Sequence, residues 1–411
     1  MSENWILARA HQLKEEMIQW RRHLHKNPEL SFQEYDTALF IKKKFACLPN
    51  VHIETGVGWE TAVIATISGG SGPTIAVRAD IDALPIVEEA THNYQSEREG
   101  VMHACGHDAH TAIALAVATI LSEASVQNQL PGTVKFIFQP AEEATNETGK
   151  TGAQYLVEAG VLSDVDCILA LHVSPEHAVG EVLIHDGYSM ANVDVFQVTI
   201  QGTGGHGAYP HLGTDPIWML GPVLQAIHGI VARNISPLDA AVISIGELKG
   251  GSASNIIPSD VFLQGTLRSY SPHVREELIT KLERAISVVE TFGGNYDFTV
   301  NKGEPALYNN PEVNQAFRET VKQLFPEIKK YEIPFGLGGE DFSHMTNEVP
   351  GAMFFLGCST QDGKKKELHT PIFDIDERCL PIGASIVAYT VLKFLEGVYD
   401  LPNKEHFIMS E

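Results

Sequence analysis

Residues 102–124 read MHACGHDAHTAIALAVATILSEA. The first ten place one thiol, three imidazoles and one carboxylate around Gly106. Cys105 and His107 are separated only by that glycine, so their side chains converge only if the backbone bends sharply. Glycine makes such a bend without steric cost. Thiolate and imidazole are donors that zinc and its transition-series neighbours prefer. The remainder has the apolar density of a buried helix. The cluster therefore sits in a loop at a helix start, where the positive dipole end helps hold a thiolate. Alone, the stretch also reads as a histidine-rich loop with one buried cysteine, so the rest of the chain has to decide.

Upstream, the apolar residues Ile6, Leu7, Met17, Ile18 and Leu24 recur at helical spacing over residues 4–25. A second helix is expected over 32–45, after the break at Pro28. TAVIATI (61–67) and TIAVRAD (74–80) are short β-branched runs, the second ending on Asp80. Downstream of the central helix, TVKFIFQP (133–140) reads as a buried strand that delivers Glu142 and Glu143. The helix GAQYLVEAG (152–160) and the strand DCILALHV (166–173), ending at His172, follow. This alternation predicts an α/β fold, a mostly parallel sheet with helices on both faces. Ligands of such sheets lie beyond the carboxyl ends of the strands, and one rule thus gathers Asp80, Glu142, Glu143, His172 and the Cys105/His107 loop into one cleft.

After Gly187 the rhythm changes. A strand (193–202), a helix (215–232), two strands (240–250 and 261–269), a helix (272–292) and a strand (296–300) give the order β-α-β-β-α-β of a ferredoxin-like split unit. The expected organisation is a first part of one domain over 1–187, an inserted α+β domain over 188–302, and the return of the first domain over 303–411. That return carries a helix (311–324), the turn GLGGED, the strand GAMFFLG, the segment LHTPIFDID and a last helix.

A chain of 411 residues exceeds one ordinary core. Its net charge of −23 argues against a nucleic-acid partner, since no basic surplus is present to neutralise phosphates. The lysine runs 42–44 and 364–366 are short and read as solvated faces. Five scattered cysteines, an odd number, suit a reducing cytosol better than a disulfide framework. The N-terminus lacks an apolar segment followed by a small-residue cleavage site, and no apolar run is read as membrane-spanning. A cytoplasmic protein without membrane partners is the expectation.

A two-metal site needs several ligands and a bridging group. The candidates are Cys105, His107, Glu143, His172 and His369, the last in LHTP. Between two cations a water becomes hydroxide near neutral pH. A neighbouring carboxylate can take its proton and return it to a leaving amine, and Glu142 suits that task. Adjacent residues at a strand end point differently, so one glutamate can bind metal while the other faces substrate. Singly, each of these residues has a bland reading as a satisfied core histidine or an exposed acidic turn.

The motifs RRHLHKNPELSFQE, RADIDALPI, MHACGHDAHTA, FQPAEE, LHV, GGHGAYPH, SASNIIP with GTLRS, GGEDFS and LHTPIFDID occur in this order. Together they resemble the amidohydrolase branch of the aminoacylase/carboxypeptidase metallopeptidases, which includes hippurate hydrolases, N-acyl-L-amino-acid amidohydrolases and indoleacetyl-amino-acid hydrolases. The resemblance spans nearly the whole chain. It implies Cys105 as the bridging ligand, joined by His107, Glu143, His172 and His369, with Glu142 as general base and acid. It further implies that the inserted domain is a lid and dimerisation domain. From it His206 would reach a cleft, its own or the partner subunit's, to stabilise the oxyanion, while Asn255 and Arg268 hold the substrate carboxylate. Relatives that take a ligand from a His-x-Asp step have Arg78-Ala-Asp80 as its counterpart here, which leaves Asp80 in a supporting place. Glu340 and Asp341 are read as ordering the cleft, not as ligands.

The expected activity is hydrolysis of N-acyl-L-amino acids by a metal-activated hydroxide, in a homodimer holding two divalent ions. Zinc leads that expectation; manganese, cobalt and nickel tolerate the same donors. The rivals are a dipeptidase or carboxypeptidase of the same fold, a cysteine hydrolase with Cys105 as nucleophile and His107 as its base, and a non-catalytic conjugate-binding protein.

Overall fold

The computed structural model describes residues 1–360, 362–364 and 366–403. The expected N-terminal helix is two helices, α1 (Glu3–Gln12) and α2 (Lys14–Lys26), which meet at Leu13. No glycine or proline marks the break; Leu13 is buried, and its helical backbone caps one helix and opens the next. Then come α3 (Tyr35–Phe45), β1 (Val51–Thr55), β2 (Val63–Ser68), β3 (Thr74–Asp80), α4 (His107–Val126), β4 (Thr133–Gln139), α5 (Gly152–Glu158), β5 (Cys167–Ala178) and β6 (Glu181–Leu183). The middle of the chain forms β7 (Gly187–Met190), β8 (Asn192–Gln201), β9 (Gly205–His206), α6 (Pro216–Asn234), β10 (Ala241–Gly250), β11 (Ile256–Ile257), β12 (Asp260–Ser269), α7 (Pro272–Ile286) and β13 (Asn295–Lys302). The last part holds β14 (Leu307–Asn309), α8 (Pro311–Leu324), β15 (Lys329–Tyr331), α9 (Phe342–Thr346), β16 (Gly351–Ser359) and α10 (Cys379–Leu395).

Two units result. One comprises Met1–Gly187, Tyr308–Phe335 and Asp341–Glu411; the other comprises Tyr188–Leu307 and the strip Gly336–Glu340. The first is built on an eight-stranded sheet in the order β1-β2-β4-β3-β5-β16-β6-β15. Its centre, β4-β3-β5-β16, is parallel, while β1, β2 and β6 pair antiparallel toward the edges. The central strands are buried on both faces, as their near-continuous apolar sequences require. Ile75, Val77, Phe136, Phe138, Leu169, Leu171 and Phe354 enter one core with α1–α4, α8 and α10. From the other face come α5 and α9, which pack on each other and against β4 and β16.

Helix α4 is long and apolar enough to cross a membrane, against the reading that no run reaches that length. It is instead the core helix of this unit: most of it is buried, packed between β2–β5 and the helices α1, α2, α3 and α10. An all-round apolar helix is what such a sandwiched position selects.

The second unit is a four-stranded antiparallel sheet, β10-β12-β8-β13, with α6 and α7 packed on it. The ferredoxin-like chain order is thus carried by a matching sheet order. Asp215 caps α6 by accepting from the amides of Ile217 and Trp218, with Pro216 at the first turn. Ser271 caps α7 in the same way. That helix ends at Ile286, and Ser287–Phe292 tightens into a 3-10 turn where one long helix was expected.

Candidate metal centre

Gly106 sets the geometry. Its φ of +91° is left-handed, and a Cβ there would stand 2.3 Å from Val173 Cγ2. Only glycine satisfies both demands, and the bend delivers Cys105 just before α4 and His107 as its first residue. His172 does not end its strand as the sequence suggested, because β5 runs on to Ala178. Pairing between β3 and β5 stops at Val77 and Leu169, however, so the register carries His172 level with Asp80, where β3 ends. Glu142 and Glu143 follow β4 through Ala141, whose φ of +50° turns the chain. His369 also takes a left-handed conformation (φ +59°), and its amide donates to the Ala104 carbonyl at 2.8 Å.

These four segments of the first unit bring the donors together. Cys105 Sγ lies 3.5 Å from His172 Nε2 and 3.2 Å from His369 Nε2. His369 Nε2 is 3.2 Å from Glu143 Oε1, which is 3.8 Å from His107 Nε2. Donor atoms of Cys105, His107 and His172 lie within 4.8 Å of one another, as do those of His107, Glu142 and Glu143.

The imidazoles are oriented from behind. His107 Nδ1 faces the Asp82 carbonyl at 2.9 Å and Asp82 Oδ1 at 3.2 Å. His172 Nδ1 faces the Val173 carbonyl at 2.8 Å, and its ring stacks on Phe355. Both contacts call for Nδ1–H tautomers, which turn the Nε2 lone pairs inward, the arrangement metal-binding histidines show. His107 Nε2 and Glu143 Oε1 are buried without a hydrogen-bond partner. Two such orphans cost about 1–3 kcal/mol each unless something positive satisfies them. A cation does so, and the sulfur, nitrogen and oxygen donors suit a borderline transition metal.

The surrounding carboxylates favour a positive charge at this point, which a proton on His107 supplies and a bound cation would supply in its place. Burial lowers the basicity of His107, but Asp80, Asp82 and Glu143 overcome it and raise its pKa to about 10. Burial holds His172 well below the usual histidine range, so its lone pair is available. Burial also pushes the Cys105 thiol well up, and Glu143, Glu142 and Asp80 push it further. Burial and the surrounding carboxylates thus work against the helix dipole at Cys105, and a bound cation would favour the thiolate. An uncompensated thiol of this kind is a poor nucleophile.

Three supporting residues escaped the sequence reading. Asp82 accepts from Ser31 Oγ at 2.6 Å and from the Glu143 amide at 3.0 Å while it holds His107. Its signal was its place two residues beyond Asp80, on the same side by strand alternation. His110 stands one turn after His107; its Nδ1 meets Asp80 Oδ1 at 2.6 Å and its Nε2 accepts from the Val173 amide. Glu34 is fully buried and accepts from the amides of Ala141 and Phe32 and from Thr61 Oγ1, fixing the turn before Glu142. Glu34 closes the motif RRHLHKNPELSFQE, but nothing in its spacing marks its role. Asp80 faces His107 Nε2 at 3.6 Å and is held by Arg78, which Asp341 anchors from α9's start.

The residues expected to bind substrate belong to the second unit. His206 and Ile256 pair across the two-residue ladder of β9 and β11, and Asn255 accepts from the Gly207 amide, so His206 and Asn255 are close neighbours. Both are exposed. Arg268 lies on β12 opposite Val193, half-buried, its Nε donating to Thr266 Oγ1.

A sheet of parallel core strands carrying convergent soft and hard donors beside a carboxylate defines a hydrolase of the metallopeptidase type. Comparison with known proteins gives the family: residues 76–393 match the model of peptidase family M20/M25/M40, and the chain belongs to it. It is 39% identical over 389 residues to an N-acetyl-L-cysteine deacetylase of Bacillus subtilis, covering 93% of this chain and 89% of that one. It is 37% identical over 391 residues to thermostable carboxypeptidase 2 of Saccharolobus solfataricus, covering 93% and 96%. Among solved structures, the Bacillus subtilis YXEP protein, a dinuclear metal-binding peptidase from the M20 family, superposes with a TM-score of 0.82 at 32% identity over 94% and 99% of the chains.

Proposed function

We propose that the protein is a two-metal amidohydrolase that removes the acyl group from N-acyl-L-amino acids. The observation that carries this reading is the convergence of Cys105, His107, Glu143, His172 and His369 around two orphaned donor atoms, with Glu142 beside them. The likeness to a dinuclear metal-binding peptidase and to an N-acetyl-L-cysteine deacetylase supports it. Cys105, His107, Glu143, His172 and His369 would hold two divalent ions, with Cys105 read as the shared ligand and zinc suited to the mixed donors. Such ions would acidify a water and polarise the scissile carbonyl.

The chain's own residues do the rest. Glu142 takes a proton from the attacking water on its carboxylate and passes it to the departing amine nitrogen. Asp82 keeps His107, and the Val173 carbonyl keeps His172, turned toward the centre. His206 Nδ1 accepts from the Ala208 amide, so its Nε2 carries the hydrogen that an oxyanion takes up. Arg268 and Asn255 hold the α-carboxylate; the guanidinium is steadied through Nε, which leaves its two terminal amino groups as a fork. Association as a homodimer through the second unit, whose sheet has β10 and β13 at its edges, is part of this proposal. The odd number of cysteines supports a cytoplasmic setting.

Glu142→Gln tests the assignment. The variant should keep its metal and lose about 100- to 10,000-fold in turnover; turnover within tenfold of wild type rejects Glu142 as the base. Parallel assays on acyl-amino acids and dipeptides separate this reading from a carboxypeptidase, the second activity that a relative's name supports.

A further inference from the structure

A second histidine-carboxylate cluster lies in the first unit, apart from the centre around Cys105. Glu88 and His92 belong to the segment between β3 and α4, and His25 is on α2. Glu88 Oε1 lies 3.2 Å from His25 Nε2 and 3.0 Å from His92 Nε2. Donor atoms of the three residues lie within 4.8 Å of one another. The other oxygen of Glu88 is already committed, accepting the Ser96 amide at 2.6 Å.

Hydrogen bonding explains half of this arrangement. His25 Nδ1 meets Asp108 Oδ2 at 2.8 Å, and Asp108 is held by the buried Arg21 Nε at 3.1 Å. That leaves Nε2 of His25 directed at Glu88. His92 is not explained: its Nε2 approaches Glu88 closely without the alignment of a hydrogen bond, and its Nδ1 is also buried without a partner. The ring is held in place by stacking on Tyr94 at 3.7 Å. Beside them is His103, 2% exposed, with neither ring nitrogen bonded and its ring 6.5 Å from that of His25.

We infer that His25, Glu88 and His92 form an additional binding site for one borderline divalent transition-metal ion. Ligand atoms about 2.0–2.1 Å from a tetrahedral ion stand roughly 3.3 Å apart, close to the separations at Glu88 Oε1. The Asp108–His25 contact is the carboxylate that orients a metal-bound imidazole. A cation at their common focus also gives His92 the partner it lacks. The site would tie α2 and the segment around residue 92 to the first turn of α4, because Asp108 is the neighbour of His107. Its role is to hold that turn, and no chemistry is assigned to it.

This site is independent of the two-metal centre, and its test keeps the two distinct. The full-length protein is equilibrated with excess Zn2+, desalted, and its zinc counted by mass spectrometry, for wild type, His92→Ala and Cys105→Ser. His92→Ala should hold one equivalent of zinc less than wild type. Excess zinc should raise the melting temperature of wild type more than that of the variant. In Co2+-loaded protein, the difference spectrum between wild type and His92→Ala should show a tetrahedral band that Cys105→Ser retains. Equal zinc counts in wild type and His92→Ala overturn the inference, whatever Cys105→Ser does. Should His92→Ala fail to fold, His92→Gln takes its place, and zinc retained at the wild-type count overturns the inference equally.

Discussion

Gly106→Ala gives the most direct test of how this chain builds its centre. Two costs add. A left-handed backbone with a Cβ costs about 1–2 kcal/mol, and φ is +91° at this position. The new methyl would also stand 2.3 Å from Val173 Cγ2, a clash with a side chain that is itself fully buried. Overpacking of that kind costs about 1–3 kcal/mol, so the substitution should destabilise the protein by about 2–5 kcal/mol. The damage should reach the ligands, because the Val173 carbonyl orients His172 and the Val173 amide holds His110. Urea unfolding followed by tryptophan fluorescence measures it, since Trp5, Trp20 and Trp59 all lie in the first unit. Val173→Ala dissects the two costs. In that background Gly106→Ala should cost only the backbone share, about 1–2 kcal/mol, and the difference is the coupling between the two positions. A Gly106→Ala protein within about 0.5 kcal/mol of wild type, the range of an ordinary surface change, would refute the reasoning.

Three more outcomes follow from named contacts. Glu34→Ala removes the oxygen that accepts from the Phe32 and Ala141 amides, loosening Ala141; kcat should fall about 10- to 100-fold while metal content holds, and an unchanged kcat removes Glu34 from a positioning role. Cys105→Ser should weaken metal binding by at least about tenfold, with activity recovered by added metal; a cysteine nucleophile would give no such recovery. Asp374 is buried, which works to raise its pKa, but Arg21, Tyr94 and the Ile375 amide hold it below 3.8. The unfolded chain therefore binds this proton more readily than the folded one, so the stabilisation is complete only above about pH 5 and is lost as pH falls through the folded value. Asp374→Asn should cost about 1.5–3 kcal/mol near neutrality, because Arg21 loses one charged partner while Asp108 and Glu377 remain, and its stability should depend less on pH in the acid range. Equal acid slopes in urea titrations would contradict this.

Much of the molecule could be read along the chain because the relevant physics is local. Apolar period, β-branched runs and the glycine between Cys105 and His107 are properties of short windows, and they announce strands, helices and a bend whatever else is present. Part of the candidate centre was legible for the same reason: the Cys105/His107 loop opens a helix and Glu143 follows a strand, whereas His172 within β5 and His369 in its turn are brought beside them only by the fold. What tertiary structure alone decided are properties set by neighbours distant in sequence. Helix α4 has a membrane-like composition, yet the sheet and four helices cover it. The Cys105 thiol sits where a dipole favours ionisation, yet burial first, and then carboxylates from β3 and from the turn after β4, push its pKa the other way. Leu13 interrupts a helix although nothing in its own chemistry requires a break. Glu34, whose spacing marks no role, becomes the group that holds Ala141, 107 positions away. Hydrogen bonding and electrostatics act through space, so their outcome exists only once the fold has chosen who stands beside whom.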